Sequence, residues 1–532
     1  MSGWEEICAE KRKIRASKLP AEWLIPEEEL PAPEVTNVLD VPRTCGKLTE
    51  RELEITEKYD AVDLVEKIAW RVYSVEEVTI AFCKRATIAQ QLVNCLTEIL
   101  FDDAIERAKA LDKQLAENPD QTLPPLFGLP ISLKDAIPVK GYDASGGFVC
   151  FVNQPSPANC VLVDWLLEQG AVLYCKTNLP QTQMTADSDN NIFGRTLNPN
   201  NRTLTAGGST GGEGALLALR GSVLGIGTDI AGSIPNGIYG FKPTADIFPA
   251  AGTLPAEILG APGIVVSTGP MATSARACHY LMKHVMSAEF VDRDWTVSNV
   301  PWVNKGLPKG RRLRVGYMED EGITTPTPPV RRALAETVAK LKAAGVEIVN
   351  INVEDIARRR QEIMDMFSLD GSQEMLDFLA KGGEPQVPSV AMTKLLEIPG
   401  KEMDAFFKLS GARAEFKEYM HNIFTSNKID CMLSAAAPHT ALKFDKWISL
   451  TYTATWNYLN YPAAIIPTGT VLETDVKDEG AKYGEEDENM YSWYTGPEDY
   501  KDAPTVVQII TPYHTDERLA ELYVKLDSII NP

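Results

Sequence analysis

Two serines in glycine-rich backbone and one upstream lysine are the residues of this chain whose types and spacing could do chemistry. Ser209 sits in Thr205-Ala-Gly-Gly-Ser-Thr-Gly-Gly-Glu-Gly214, and Ser233 follows 24 residues later in Gly225-Ile-Gly-Thr-Asp-Ile-Ala-Gly-Ser-Ile234. With the amine of Lys134, the two hydroxyls suggest an acyl-transfer site. A serine hydroxyl is a poor nucleophile at neutral pH and needs a base within hydrogen-bond reach. The five histidines (His279, His284, His421, His439 and His514) are far from both serines in sequence and show no metal-ligand spacing, so they read as structural or surface groups. Lys134, which ends the apolar run Leu129-Pro-Ile-Ser-Leu-Lys134, is the remaining candidate base. To be half neutral at pH 7, a lysine with an ordinary pKa of ~10.4 must be disfavoured as a cation by roughly 4.6 kcal/mol. Burial at a strand end pushes that way, and so would a second cation, for which Lys176 is the candidate.

The glycines carry a separate argument. They permit positive φ and close approach of backbone to a ligand. The run Ile230-Ala-Gly-Ser233, entering a turn after a strand, can aim successive N–H groups at one point, as an oxyanion hole requires. A phosphate cradle is the competing reading, but the GxxxxGK[ST] spacing is missing and Glu213 would repel phosphate.

The elements that must position these residues follow an α/β rhythm. Ser74-Val-Glu-Glu77 reads as a capping box opening a helix through Ile88, and residues 104–115 as a second amphipathic helix. Residues 129–134 read as a strand, 161–169 as a helix stopped by Gly170, and 171–175 as a buried strand. Helix then strand recurs at 213–220 and 222–227, and strand, helix, strand at 313–318, 330–344 and 346–350. Late strands are predicted at 429–434, 463–467 and 505–510, with a closing helix near 517–529. The pattern predicts one large α/β/α domain over residues 58–532 with a mixed central sheet flanked by helices. Residues 1–57, proline- and acid-rich, read as a partly helical arm wrapping the body, and residues 473–500 as an acidic, solvated surface insert.

Composition narrows the partner. A chain of 532 residues with 44% hydrophobic and 23% charged residues is an ordinary globular protein. Its formal net charge of −21 would repel phosphates, which argues against nucleic acid or an anionic membrane and favours a small neutral substrate. Nine cysteines without CxxC spacing signal neither a zinc site nor a disulfide framework. The charged first thirty residues lack the apolar core of a signal peptide, and no run is long enough to span a membrane, so a cytoplasmic location is expected. A homodimer is the one protein assembly left open.

At these motifs the chain resembles the amidase signature family, most of all its fungal acetamidase-like branch. The matching text is Gly128-Leu-Pro-Ile-Ser-Leu-Lys-Asp135, Lys176-Thr-Asn-Leu-Pro-Gln181, Asn191-Ile-Phe-Gly-Arg-Thr-Leu-Asn-Pro199, both glycine-serine runs and Gly240-Phe-Lys-Pro-Thr244. The resemblance implies the amidase-signature α/β/α fold and a Ser, cis-Ser, Lys triad. Ser233 would be the acylated nucleophile, Ser209 the bridging serine on a cis bond from Gly208, and Lys134 the base. It also implies an oxyanion hole from Ile230, Ala231, Gly232 and Ser233, a substrate wall at Gln183, and hydrolysis of a small, acetamide-like carboxamide with no metal or organic cofactor.

One segment departs from that pattern. Ser233-Ile234 runs directly into Pro235-Asn236-Gly237, about five residues shorter than the family text, with Pro235 where an arginine is expected. Asp229 is thereby expected to lose its charge partner, and a chain that keeps the fold but is impaired in hydrolysis stands as the alternative reading. A glutamine-hydrolysing amidotransferase subunit shares the family and is disfavoured by the acidic charge and the acetamidase-like flanks.

Overall fold

The computed structural model describes residues 3–232, 237–253, 263–303, 306–307, 310–446 and 451–532. Eleven strands form one mixed sheet, in the order β1-β3-β2-β6-β8-β7-β12-β13-β11-β9-β10. They are β1 (Leu96–Ile99), β2 (Pro130–Lys134), β3 (Val172–Thr177), β6 (Leu224–Asp229), β7 (Tyr239–Lys242), β8 (Ser267–Ala272), β9 (Arg314–Tyr317), β10 (Glu347–Asn350), β11 (Cys431–Ala435), β12 (Ala463–Thr470) and β13 (Pro504–Ile510). Two further strands, β4 (Leu197–Asn198) and β5 (Asn201–Thr205), pair as a separate ribbon. β2 runs parallel to both β3 and β6, and β9 parallel to β10 and β11, while the strands between these groups are antiparallel.

Successive side chains of a strand point to opposite faces, and the core divides accordingly. Leu433, Ala464 and Ile509 join one large apolar cluster, while their neighbours Met432, Ala463 and Ile510 join a second one. The second cluster is built with the helices Asp355–Phe367, Met403–Ser426 and Thr451–Leu459. The Val75–Val93 helix is buried on nearly every side, because it packs against the helices Glu50–Lys58, Phe101–Glu117 and Gly211–Ala218. Its Ser74 cap forms, with the hydroxyl accepting from Glu77 N at 3.0 Å. The reciprocal half of the box does not, since the Glu77 carboxylate pairs with Arg51.

The arm is tied down by polar contacts as well as by Cys8 and Val38, both fully buried. Lys11 bridges the buried carboxylates of Glu98 and Asp143. Arg15 donates to the Leu96 carbonyl at 2.7 Å, and Val38 N to the Pro199 carbonyl at 2.9 Å. The acidic insert is more than a solvated loop. It forms the Glu485–Tyr491 helix, whose Asp487 is buried and accepts from Thr325 N at 2.8 Å and from its hydroxyl at 2.6 Å. Tyr491, Tyr494 and Tyr500 are buried beside it, so aromatic residues interleaved among the acids fix its path together with the buried Asp475 and Asp487. No helix among the described residues is long and apolar enough to cross a membrane.

Candidate active site

Parallel pairing brings the chemistry to one sheet edge. Leu133 lies opposite Ile226, so β2 and β6 end together, with Lys134 closing one and Thr228 and Asp229 closing the other. Ligands of α/β sheets collect outside such carboxyl ends. The Gly207–Thr210 loop descends onto the same edge before the Gly211–Ala218 helix, and the Gly208–Ser209 peptide bond is cis. A Cβ on Gly208 would meet the Thr185 carbonyl oxygen at 2.5 Å, so only glycine lets the loop lie this close.

Lys134 Nζ donates to Ser209 Oγ at 2.7 Å and to Thr228 Oγ1 at 2.7 Å. The side chain is wholly buried and Ser209 is only 7% exposed. Burial pulls the lysine down to about 7, opposed by the more distant charges of Asp229 and Asp135. The second-cation idea is corrected. Lys134 pairs with Thr177 across the ladder and Lys176 with Leu133, which sends the two lysines to opposite faces. The Lys176 ammonium donates instead to the Asp143 carbonyl at 2.5 Å.

Buried carboxylates anchor the ends of these strands. Asp135, next to Lys134, accepts from Thr97 Oγ1 at 2.8 Å, from Ser145 N and Oγ at 2.9 and 2.7 Å, and from Gly146 N at 3.0 Å. Glu213 accepts from the Ser132 hydroxyl and from Thr177 Oγ1 at 2.9 Å, tying the Gly211–Ala218 helix to β2 and β3. Burial pushes Glu213 up to about 7.

Past β6 the chain turns at Ile230, Ala231 and Gly232, where Gly232 has φ +113°. Asp229 Oδ1 accepts from Gly232 N at 3.0 Å and from Asn457 Nδ2 at 3.0 Å. Asp229 is thus held by a neutral amide and a backbone N–H, and the buried Lys134 and the half-buried Lys242 both feel its charge. Thr453, one helical turn before Asn457, donates to the Ala231 carbonyl. The Thr451–Leu459 helix therefore backs the turn at two points. Ser233, with Ile234 and Pro235, lies outside the described residues.

A small cavity opens beside Ser209, lined among others by Gln183, Met184, Ile230, Phe367 and Leu395. Gln183 is buried with φ +60°, and its Nε2 has no partner. A buried amide N–H left open at a cavity wall is a ready donor for a ligand carbonyl. Among the described residues, no group of three or more histidine, cysteine or carboxylate side chains is placed to hold a metal ion.

A family model described as amidase matches residues 77–520. The chain belongs to the amidase signature family. As an amidase, it is a hydrolase of amide bonds. It is 36% identical over 493 residues to an amidase of Gibberella moniliformis, covering 89% of this chain and 92% of the relative. It is 34% identical over 533 residues to an acetamidase of Emericella nidulans, covering 97% and 96%. Among solved structures, a fatty acid amide hydrolase superposes with a TM-score of 0.92 at 28% identity, covering 99% of this amidase and 95% of that chain.

Three of this amidase's site residues were not singled out by the sequence. Thr228 lies inside the second glycine-serine run but meets Lys134 only because β2 and β6 pair, while Thr453 and Asn457 reach the turn only through tertiary packing, from a helix of ordinary composition. Among the histidines, His439 stands nearest this region. It lines a second cavity that also borders Thr228 and Asp229, and burial pushes it down to about 4.

Proposed function

We propose that this amidase cleaves small neutral carboxamides to carboxylate and ammonia through an acyl-enzyme on Ser233. The observation that carries the reading is the Lys134–Ser209 contact at 2.7 Å, made by a lysine poised near neutrality. Neutral Lys134 accepts the Ser209 proton while Ser209 Oγ accepts that of Ser233, whose oxygen bonds to the amide carbon. The N–H groups of Ile230, Ala231 and Ser233 are the proposed donors to the carbonyl oxygen as it becomes an oxyanion, since the Gly232 N–H is already held by Asp229. Gln183 Nε2 orients the bound amide. The relay then runs backwards to protonate the departing amine, and water attacks the ester by the same route to free the acid.

A small, acetamide-like substrate is favoured by the narrow cavity beside Ser209 and by the acetamidase relative. The fatty acid amide hydrolase likeness makes long aliphatic amides the comparison to exclude. The test is ammonia release from acetamide, hexanamide and a long-chain amide, combined with peptide mapping after treatment with an activated phosphonate. The expected result is an adduct at Ser233 and the highest kcat/KM on the shortest amide. A folded sample with neither adduct nor turnover would overturn the mechanism and leave the impaired reading suggested by the shortened segment after Ser233. An adduct with a preference for the long-chain amide would overturn the substrate class alone.

A further inference from the structure

The small cavity beside Ser209 takes part of its wall from a segment far along the chain. Leu395 comes from the short helix Leu395–Glu397, and Phe367 from the end of the Asp355–Phe367 helix. Between them, the helices Gln373–Gly382 and Pro388–Thr393 pack with Phe148 and Cys150. The Phe378 ring meets those of Phe148 and Phe151 edge-on, at centroid distances of 5.3 and 4.9 Å. Apolar packing of this kind is non-directional. Direction comes from a polar cluster.

Glu384, 7% exposed, lies between the two helices and accepts from three separate segments: from Val149 N at 2.6 Å, Gln181 Nε2 at 2.8 Å and Asn191 Nδ2 at 2.8 Å. Both amides are oriented by backbone groups that can play one role only. The Gln181 amide oxygen accepts from Val387 N at 2.9 Å, and its nitrogen also donates to the Pro385 carbonyl at 3.0 Å. Asn191 Nδ2 donates to the same carbonyl at 2.8 Å. Three N–H groups thus converge on residue 384, and an ionised carboxylate is the side chain that only accepts. A glutamine there would set its own NH₂ against one of them.

Gln181 leads from this cluster to the cavity. It opens the turn Gln181–Gln183, in which Thr182 and Gln183 have φ +67° and +60°. Its backbone N–H donates to the Asp189 carbonyl at 2.8 Å, and Gln183 N to the Pro180 carbonyl at 3.1 Å. Gln181 is wholly buried, so fixing its side chain and its backbone together fixes the turn that carries Gln183 to the cavity wall.

We propose that Glu384 is a positioning residue: by clamping Gln181 and the Val387 segment, it sets Gln183 against the bound amide and Leu395 against its acyl group, and so fixes the size selectivity of hydrolysis. The inference rests on the proposed reading, in which Gln183 Nε2 orients the substrate. Glu384 is not itself a wall of the cavity, so it acts through the groups it holds. Releasing the clamp lets the Leu395 segment draw back, which costs a short amide its fit and favours a longer one.

The test uses the full chain with Glu384→Ala, Glu384→Gln, Gln181→Ala and the double variant Glu384→Ala with Gln181→Ala. Phosphonate labelling of Ser233 counts the competent sites, and kcat and KM are measured per site on acetamide and hexanamide. Each single variant is expected to raise KM for acetamide at least fivefold. Each should also lower the acetamide-to-hexanamide ratio of kcat/KM at least tenfold, within the roughly 100-fold that a misplacement of ~1 Å can cost. The double variant is expected to lie within twofold of Gln181→Ala, because residues that act through one contact are not additive. A merely structural role would lower the number of sites and leave KM and the ratio alone. Glu384→Gln keeps the side-chain volume and gives the reading should Glu384→Ala fail to fold. Unchanged KM and ratio in a labelled variant, or effects that multiply in the double variant, overturn the inference while the hydrolytic reading stands. A folded parent without turnover overturns both.

Discussion

Lys134 directs its hydrogen bonds to the Ser209 and Thr228 hydroxyls and the Thr228 carbonyl, and this choice of neutral partners decides how it titrates. A carboxylate in contact would hold the ammonium charged, whereas burial among hydroxyls brings it down to about 7. If hydrolysis needs the neutral amine, kcat/KM rises about tenfold per pH unit up to about 7 and then levels. A pH–rate profile on acetamide checks this, and Lys134→Ala should remove that limb while lowering the rate roughly 10²- to 10⁴-fold. The same burial that favours the neutral amine costs stability. The folded-state value lies below the unfolded one, so between about 7 and 10.5 the unfolded chain binds the extra proton and this group's penalty shrinks as pH rises. At pH 7 the penalty is on the order of 4 kcal/mol. Lys134→Met is therefore expected to be inactive yet more stable than the parent at pH 7, with the gain fading toward pH 10. A variant that melts lower at pH 7 would show that the two hydroxyl contacts outweigh the burial of the amine.

At the scale of elements, the strands and the helices that follow them were legible because apolar runs and glycine stops mark them. β2, β3 and β6 fall within a few residues of their predicted places. β7 and β8 were not, since Tyr239–Lys242 is too short to show alternation and Ser267–Ala272 carries glycine and proline. The Thr451–Leu459 helix was also missed, although it holds the turn that precedes Ser233. Its Thr453 and Asn457 stand four apart, which puts both on one face, and that face meets Ala231 and Asp229. Removing the amide in Asn457→Ala frees the Asp229 carboxylate and loosens the turn. The expected result is a fall in kcat of about 10- to 100-fold with KM changed less, because displacements near 1 Å reach this size. Steady-state kinetics on acetamide separates the two parameters.

The whole molecule depends on contacts between segments remote in sequence. Lys11, in the arm, is 6% exposed and is set against Glu98 from β1 and Asp143 from the loop after β2. Removing one partner of a buried ionic cluster typically costs about 3–5 kcal/mol, because the charges left behind stay out of water. Lys11→Met should lower the midpoint of urea unfolding accordingly, whereas removing the exposed Lys113–Glu117 pair should change it by less than about 1 kcal/mol. An equal effect from both would mean that the arm is not held by its buried charge. Sequence reading placed the arm as a wrap on the body, but only the fold shows which contacts fasten it, Lys11 among them.

Sequence by itself determined the family, the α/β layering and the identity of Lys134, Ser209 and Ser233 as the residues to weigh, because motif text and hydrophobic period are local properties of the chain. Tertiary structure decided the rest. It alone buried Lys134 against two hydroxyls, sent Lys176 to the other face of the sheet, and set Asn457 against Asp229. Each of these depends on which side chains meet across tens to hundreds of residues, and on how much water is excluded when they do.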